Sequence, residues 1–594
     1  MSQPSIYDYI KEQENSFQTD QIQVGDNWFW NFRDHVQLIF HLMNGQFYTG
    51  ENDWMRAFKV IMKPLRNLAK WSEDIEVKDV VFFIENETGR VLSFLLKKFH
   101  DEVFVKKHNL DTVFDDITLS DLDYGGTLVQ PTADGSAEVI QPNSVAFCDQ
   151  TDIKGGPIGF KFNFSPDKLR KMAAKGWGDA KNGATISIDG LCVLAEPHEK
   201  EFDKNNNKNT IPGKNIELYI VKGSLPEHYL KDNNDMETYY EQAHVVGFYY
   251  NKENKQEGVT LYRKKAEDNI KFFTSEPVYG RALGAGEGES LLHPQIWTNF
   301  LTIHKMSMLE AGAKSPLWTD DDNFTGVNVI SEQENLTVNK VSPGSHIGLI
   351  PTIDANKIQL FSNTVNEWYE NGQLNASAQD PILGKEAVSG TTFRGQERSI
   401  QQSQGLHKMR QGQRAKFIEE LYRDIWIPSM VKEMKGNKKF MATLSSDEMK
   451  WVSEQLAINY ANRKIIDAEL YGNGDIPDVE LLKQEFIQIF NKKGNKHLIE
   501  ILDKEFDDVE IKMGINIAGK QKDLAGLSDK ILSIVQFALA NPIPPAMQKP
   551  VNDILEFSGI SPADFTTLVT MKPEVPAGAV PSPIQPAQLN QPTA

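Results

Sequence analysis

Hydrophobic positions change period twice along this chain, and the changes divide it. From Trp28 to about Val113 apolar residues recur at spacings of three and four: Val36, Ile39, Phe40 and Met43, then Val60, Ile61, Leu65 and Leu68, then Leu92, Leu95, Leu96 and Phe99. That period predicts amphipathic helices. Residues 1–25 before them read as a polar N-terminal arm. Beyond Tyr124-Gly125-Gly126 come short runs rich in β-branched and aromatic residues, among them Ala137–Ile140, Ser144–Phe147, Ile158–Phe164, Ile216–Val221, Val245–Tyr250 and Gly258–Tyr262. Gly, Pro and Asn separate these runs, which predicts an antiparallel sheet region with one helical segment, Pro166–Lys175, embedded in it.

The helical period returns at Glu287. Pro294 sits where a helix can begin, and Ile296, Trp297, Phe300, Leu301 and Met308 supply an apolar stripe before Gly312 and Pro316 stop it. Residues 313–352 read as a strand–turn insert, with Val327–Ile330, Leu336–Val341 and a turn at Pro343-Gly344. A second helix is expected at about Ala355–Ser377, then a loop at Asp380–Phe393, then a helical stretch to about Gly436. Residues 437–570 read as mostly helical, with one strand at Val509–Ile517 feeding a helix Asp523–Ala540. The proline-rich segment 571–594 predicts a disordered tail. The fold class is therefore α+β and mainly helical.

Composition narrows the chemistry. Two cysteines in 594 residues exclude a disulfide framework, and Cys148 and Cys192 read as buried fillers in strand-like contexts. No run approaches the ~20 apolar residues of a membrane span, and the first residues lack the pattern of a signal peptide, so a soluble intracellular product with no membrane partner is expected. Gly213-Lys214, Gly384-Lys385 and Gly519-Lys520 lack the hydroxyl residue of a phosphate-binding loop. Gly284-Ala-Gly286-Glu-Gly288 fails the dinucleotide pattern and reads as a flexible joint before a helix. The Asn-rich loop 203–214 places lysines where a calcium loop needs glycine and glutamate. Asp320-Asp321-Asp322 reads as an acidic loop tip, and His293 and His304 lack metal-ligand spacing. No catalytic residue, cofactor or metal is expected, and the chain reads as a non-enzyme.

Net charge is −19, from 63 basic and 82 acidic residues. Against that background Arg394–Lys416 carries Arg394, Arg398, Lys408, Arg410, Arg414 and Lys416 with only Glu397 opposed, a local +5 amid glutamines. A helix polar on nearly all sides bridges other elements, packs on copies of itself, or presents a solvated face.

This order of elements resembles the portal protein, or head–tail connector, of tailed double-stranded-DNA bacteriophages. The resemblance rests on Val278–Gln295 (VYGRALGAGEGESLLHPQ) and Val388–Gly395 (VSGTTFRG), with Ile140–Phe147 and Leu218–Glu227 in support. It covers about residues 30–540 as architecture. It implies a portal fold assembling as a ring of about twelve subunits at one capsid vertex of the virion, put together in the host cytoplasm. In that fold 26–286 would be the wing, 287–312 and 353–379 the stem helices, 313–352 the clip, 380–393 the tunnel loop, 394–436 the long polar helix and 437–570 the crown. Implied partners are other copies of the chain, double-stranded DNA passing without sequence specificity, the terminase packaging motor, the head–tail adaptor and the major capsid protein. Lys385, Glu386, Ser389, Thr391, Thr392 and Arg394 would line the DNA channel. Trp318, Asp320, Asp321, Asp322 and Phe324 would meet the partners of the clip, and Arg398, Lys408, Arg410 and Arg414 would pair between subunits. An acidic ring lets a like-charged polymer slide, whereas six to ten phosphate contacts hold DNA with a strong salt dependence. Two other readings stay open: another virion structural protein of capsid or tail, and a metal-dependent nucleic-acid enzyme built from scattered carboxylates.

Overall fold

A computed structural model describes residues 4–24, 26, 29–48, 54–56, 60–83, 90–132, 134–195, 215–231, 235–251, 255–267, 269–313, 317–320, 342–349, 355–377, 405–436, 446–471, 478–493 and 512–515. Among them the fold is α+β and mainly helical, and no helix is long and apolar enough to cross a membrane. The chain divides into two units, residues 1–77 with 104–429, and residues 78–103 with 430–594.

Residues 1–25 are not a polar arm: Ile6–Thr19 is a helix, started by a capping box in which Ser5 and Asp8 bond reciprocally. Ile10 and Phe17, seven residues apart, are buried on one face with Glu14 between them. The charged residues of the other face mask this stripe in the sequence. The helix lies on a five-stranded antiparallel sheet ordered 256–265, 239–250, 216–226, 158–164, 145–147. The Tyr7 ring meets Phe248 edge-on at 4.9 Å, and its hydroxyl donates to the Gln256 carbonyl at 2.8 Å. Gly258 admits this contact, since a Cβ there would stand 2.2 Å from the Tyr7 ring.

The expected strands exist and several are longer than their apolar runs: Ile216–Pro226, Tyr239–Tyr250 and Gln256–Lys265. A second sheet orders Lys271–Phe273, Thr127–Pro131 and Ala137–Ile140. The segment at Pro166 forms an α-helix to Lys171, capped by Ser165, and tightens to a 3₁₀ turn through Lys175. Cys192 is buried, but in the helix Ile188–Leu194 rather than a strand. The stretch after Trp28 is not continuously helical either. Helices Phe32–Met43, Met62–Glu73 and Leu110–Tyr124 alternate with two-stranded pairs such as Ile22–Gln23 with Phe29–Trp30 and Gln46–Tyr48 with Trp54–Arg56. Asn44 caps the first of these helices and Gly45, at φ +72°, turns the chain into the strand after it, which a 3.6-residue period does not reveal.

Helices Leu292–Ala313 and Ala355–Asn375 pack on each other. Trp297 stacks on Trp368 and His304 on Phe361, so the two run antiparallel. Where the chain leaves and re-enters this hairpin, Leu317–Thr319 pairs with Ile347–Leu349 and carries the antiparallel register onward. Pro343-Gly344 is a turn with Gly344 at φ +91°. The expected strands at 327–330 and 336–341, the loop 380–393, the Asn-rich loop 203–214, the helix 523–540 and the tail 571–594 lie outside the described residues.

In the second unit, the strand expected at 509–517 is Lys512–Ile515, and it pairs antiparallel with Val80–Phe83. Helices Arg90–Phe99, Ser446–Tyr471 and Val479–Lys493 accompany it, with Phe94 set edge-on against Trp451.

Because Ile10 is fully buried, Ile10→Ala should lower the unfolding free energy of the first unit by about 2–5 kcal/mol. In a solvated arm the same change would stay within about 0.5 kcal/mol. Urea denaturation followed by tryptophan fluorescence distinguishes the two.

Candidate functional site

The base of the helical hairpin is fixed by two close-range constraints. One is a contact between backbones. The glycines at 284–288 do not form a flexible joint; they pack against the C-terminal end of helix Leu110–Tyr124. Gly125, at φ +75°, closes that helix and accepts a hydrogen bond from Gly284 N at 2.9 Å. A Cβ on Gly286 would lie 2.5 Å from Gly125 N, and one on Gly288 would lie 2.3 Å from the Asp123 carbonyl oxygen. No side chain fits there without moving backbone, which explains the run of glycines without any ligand. Arg281 braces the same loop, donating to the Leu283 and Gly284 carbonyls (3.0 and 2.9 Å) and gripping Glu289 through both terminal nitrogens.

The other constraint is electrostatic. Helix Gly405–Leu421 buries His407, Arg410, Gln411, Arg414, Phe417, Ile418 and Leu421. These follow the spacing of one helix face, so the basic residues stand in phase with the apolar stripe that follows them. Arg414 is fully buried. Its Nη2 donates to Asp121 Oδ2 at 2.8 Å and Glu73 Oε2 at 3.1 Å, and its Nη1 to the Glu73 carbonyl at 3.3 Å. Arg410 bridges Glu276 (2.7 Å), Glu287 (2.8 Å) and, more loosely, Glu73 (3.4 Å). His407 Nδ1 lies 2.8 Å from Glu73 Oε1, and Gln411 donates to the Asp74 carbonyl at 2.9 Å.

The acids occupy particular places. Glu73 is the last residue of its helix and Asp121 stands in the last turn of another. Carboxylates there face the negative end of the helix dipole, so a cation must compensate them. Burial alone would raise the Glu73 carboxyl, but the His407 hydrogen bond and the charges of Arg414 and Arg410 outweigh it and hold Glu73 below the usual carboxylate range. For Glu287 burial wins: Arg410 offsets it only in part, and the carboxyl is pushed up. Glu287 Oε1 and Arg414 Nε are buried without a hydrogen-bond partner among the described residues. Burial works against both guanidinium charges, yet the surrounding carboxylates more than restore them.

Helix Met62–Glu73 is thus held at both ends. Its N-cap, Ile61, offers no side-chain acceptor, and Gln295 of the hairpin substitutes for one, accepting from Ile61 N (2.7 Å) and Met62 N (3.2 Å). Asn375, at the end of the returning hairpin helix, donates to the Ser290 carbonyl at 2.9 Å.

The sequence-expected residues fall into three groups. Arg410 and Arg414, expected to pair between subunits, pair inside the chain; buried carboxylates at three helix ends claim them. Lys408 is exposed. Trp318 lies in the strand Leu317–Thr319, and Asp320 beside it is exposed, accepting from His346 N and held low by that hydrogen bond. Asp321, Asp322, Phe324, Lys385, Glu386, Ser389, Thr391, Thr392, Arg394 and Arg398 lie outside the described residues. The acids Glu73, Asp121 and Glu287 were missed by sequence reasoning, since nothing local marks them. Their basic partners could have been found from the shared phase of His407, Arg410, Arg414 and Phe417. Among the described residues no group of His, Cys, Asp or Glu could hold a metal. In comparisons with known proteins, no family model matches this chain and no curated protein matches it.

The two buried glutamates should respond oppositely. Glu73→Gln strips the arginines of their central partner and should cost about 3–5 kcal/mol at pH 7. Glu287→Gln should leave stability unchanged or raise it, because an ionised Glu287 is penalised by burial. With its folded value raised, Glu287 contributes stability below its unfolded value that is lost as pH rises through the folded one. Glu73, held low, contributes above its unfolded value and loses that contribution as pH falls through the folded one. Denaturation midpoints at pH 5 and pH 7 should therefore show the parent gaining on Glu287→Gln at the lower pH.

Proposed function

We propose that this chain is a portal protein of a tailed double-stranded-DNA bacteriophage. About twelve copies would form a ring that serves as the channel for genome packaging and ejection, without catalysis of its own. The observation that carries the reading is the antiparallel helical hairpin at 292–375. Its strand-paired insert and the helix Gly405–Leu421 after it follow the order stem, clip, stem, polar helix. The rigid base of the hairpin supports the same reading, since a stem that transmits load needs a fixed root.

Apolar exposure favours assembly. Trp297, Phe300, Met306 and Leu309 on one hairpin helix and Leu360 on the other are exposed, with Leu360 at 65%. Large apolar side chains on adjacent turns of a strongly acidic chain are what an interface between copies covers. The insert 313–352, with Trp318, Asp320–Asp322 and Phe324, would meet the packaging motor and then the head–tail adaptor. The major capsid protein would surround the wing. Lys385 and Arg394 would touch DNA, and Lys408 and Arg398 would pair between copies. The net charge of −19 per chain suits a bore that passes DNA without gripping it.

Mass photometry of the purified 67.1 kDa chain should give a species near 805 kDa for twelve copies, with a holed ring in negative stain. A species that stays at the mass of one chain, or metal-dependent cleavage of duplex DNA, would refute the reading. Leu309→Asp with Leu360→Asp should reduce the ring fraction severalfold without lowering the thermal midpoint of the single chain.

A further inference from the structure

A cleft away from the buried charge cluster contains a cation, Arg33, without a partner among the described residues. It lies between the N-terminal helix, the first turns of helix Phe32–Met43, the turn Pro142–Ser144 and the strand Ile158–Phe164, and is lined by Glu14, Phe32, Arg33, Val36, Asn143 and Lys161 among others. Four charges around it are mutually satisfied. Glu14 accepts from the Tyr219 hydroxyl at 2.8 and 2.9 Å and pairs with Lys11 and Lys161, both at 3.3 Å. Lys161 also pairs with Glu217 at 2.5 Å. The two lysines therefore balance the two glutamates.

Arg33 is left over. Its charge is felt at the Tyr219 hydroxyl, but it makes no hydrogen bond or ion pair with any described residue, although it is half-buried. It is also the second residue of its helix, where the macrodipole is positive and a cation is disfavoured unless an anion stands by. The Asn143 amide nitrogen, exposed at the lining of the same cleft, makes no hydrogen bond among the described residues. Phe32 and Val36 provide an apolar wall.

We propose that this cleft binds a monocarboxylate carried on a compact apolar group. The Arg33 guanidinium takes the carboxylate through paired N–H donors, the geometry in which arginine and carboxylate match best. The Asn143 amide donates a further hydrogen bond, and the apolar group lies against Phe32 and Val36. A surplus of one positive charge selects a monoanion over a dianion such as phosphate. The carboxylate comes either from a free organic acid or from an acidic side chain of a second copy of this chain. The proposal stands whether or not the chain is a portal protein.

Benzoate and isobutyrate, with inorganic phosphate at matched ionic strength, test it on the full chain by calorimetry and thermal shift. Benzoate should bind saturably at about the millimolar scale or tighter and more tightly than phosphate. Arg33→Gln should weaken it at least tenfold while keeping the unliganded midpoint. If neither acid binds but Arg33→Gln alters self-association in mass photometry, the carboxylate belongs to a second copy. Equal binding of benzoate by parent and Arg33→Gln would overturn the proposal. So would no response of either binding or association to the substitution.

Discussion

Arg414 is a fully buried guanidinium, and the first unit is organised around satisfying it. A charge removed from water costs several kcal/mol unless partners with good geometry replace the lost hydration. Here the partners come from far apart in the chain: Glu73 and Asp121 directly, and Glu276 and Glu287 through Arg410. Glu73, Asp121, Glu287 and both arginines are buried, so none of them is comfortable alone, while Glu276 reaches Arg410 from a partly exposed position. The network around Glu73 is therefore cooperative. It closes only when the chain that leaves at Glu287 has made its excursion and returned at His407, so one cluster certifies both ends of the hairpin segment.

The glycine contact at 125, 284, 286 and 288 works beside it through exclusion rather than attraction. Charge pulls helix Gly405–Leu421 onto three helix ends, while the absent side chains let the backbone entering the hairpin sit against the end of helix Leu110–Tyr124. Together they leave the root of the hairpin little freedom. The exposed apolar side chains farther along it are then presented from a fixed base.

Much of this was legible in the sequence, and what was not has physical reasons. The hairpin helices and the strand pattern followed from hydrophobic period and from Pro and Gly punctuation, and Ile158–Phe164 matches its run residue for residue. The helix Ile6–Thr19 was hidden because only Ile10, Phe17 and the paired Glu14 are buried, while Ile6, Tyr7 and Tyr9 pack on the core from a partly exposed face among charged neighbours. The glycine run looked flexible because glycine serves loose joints and tight contacts alike, and only the neighbouring backbone distinguishes them. Arg410 and Arg414 were expected on the surface, pairing with other copies, because hydrophobic period counts charge as surface. Their phase with Phe417, Ile418 and Leu421 carried the opposite message. Glu73, Asp121 and Glu287 carry no local mark at all, since burial of an acid depends on a partner more than a hundred residues away.

The central claim is that the buried charge cluster holds the hairpin root together as one cooperative unit. Hydrogen–deuterium exchange on Arg414→Met, which keeps the bulk but removes the charge, tests it most directly. Protection should fall together in 62–73, 287–300 and 405–421 while the sheet strands 216–265 keep theirs. Loss confined to 405–421, or no loss anywhere, would contradict the account.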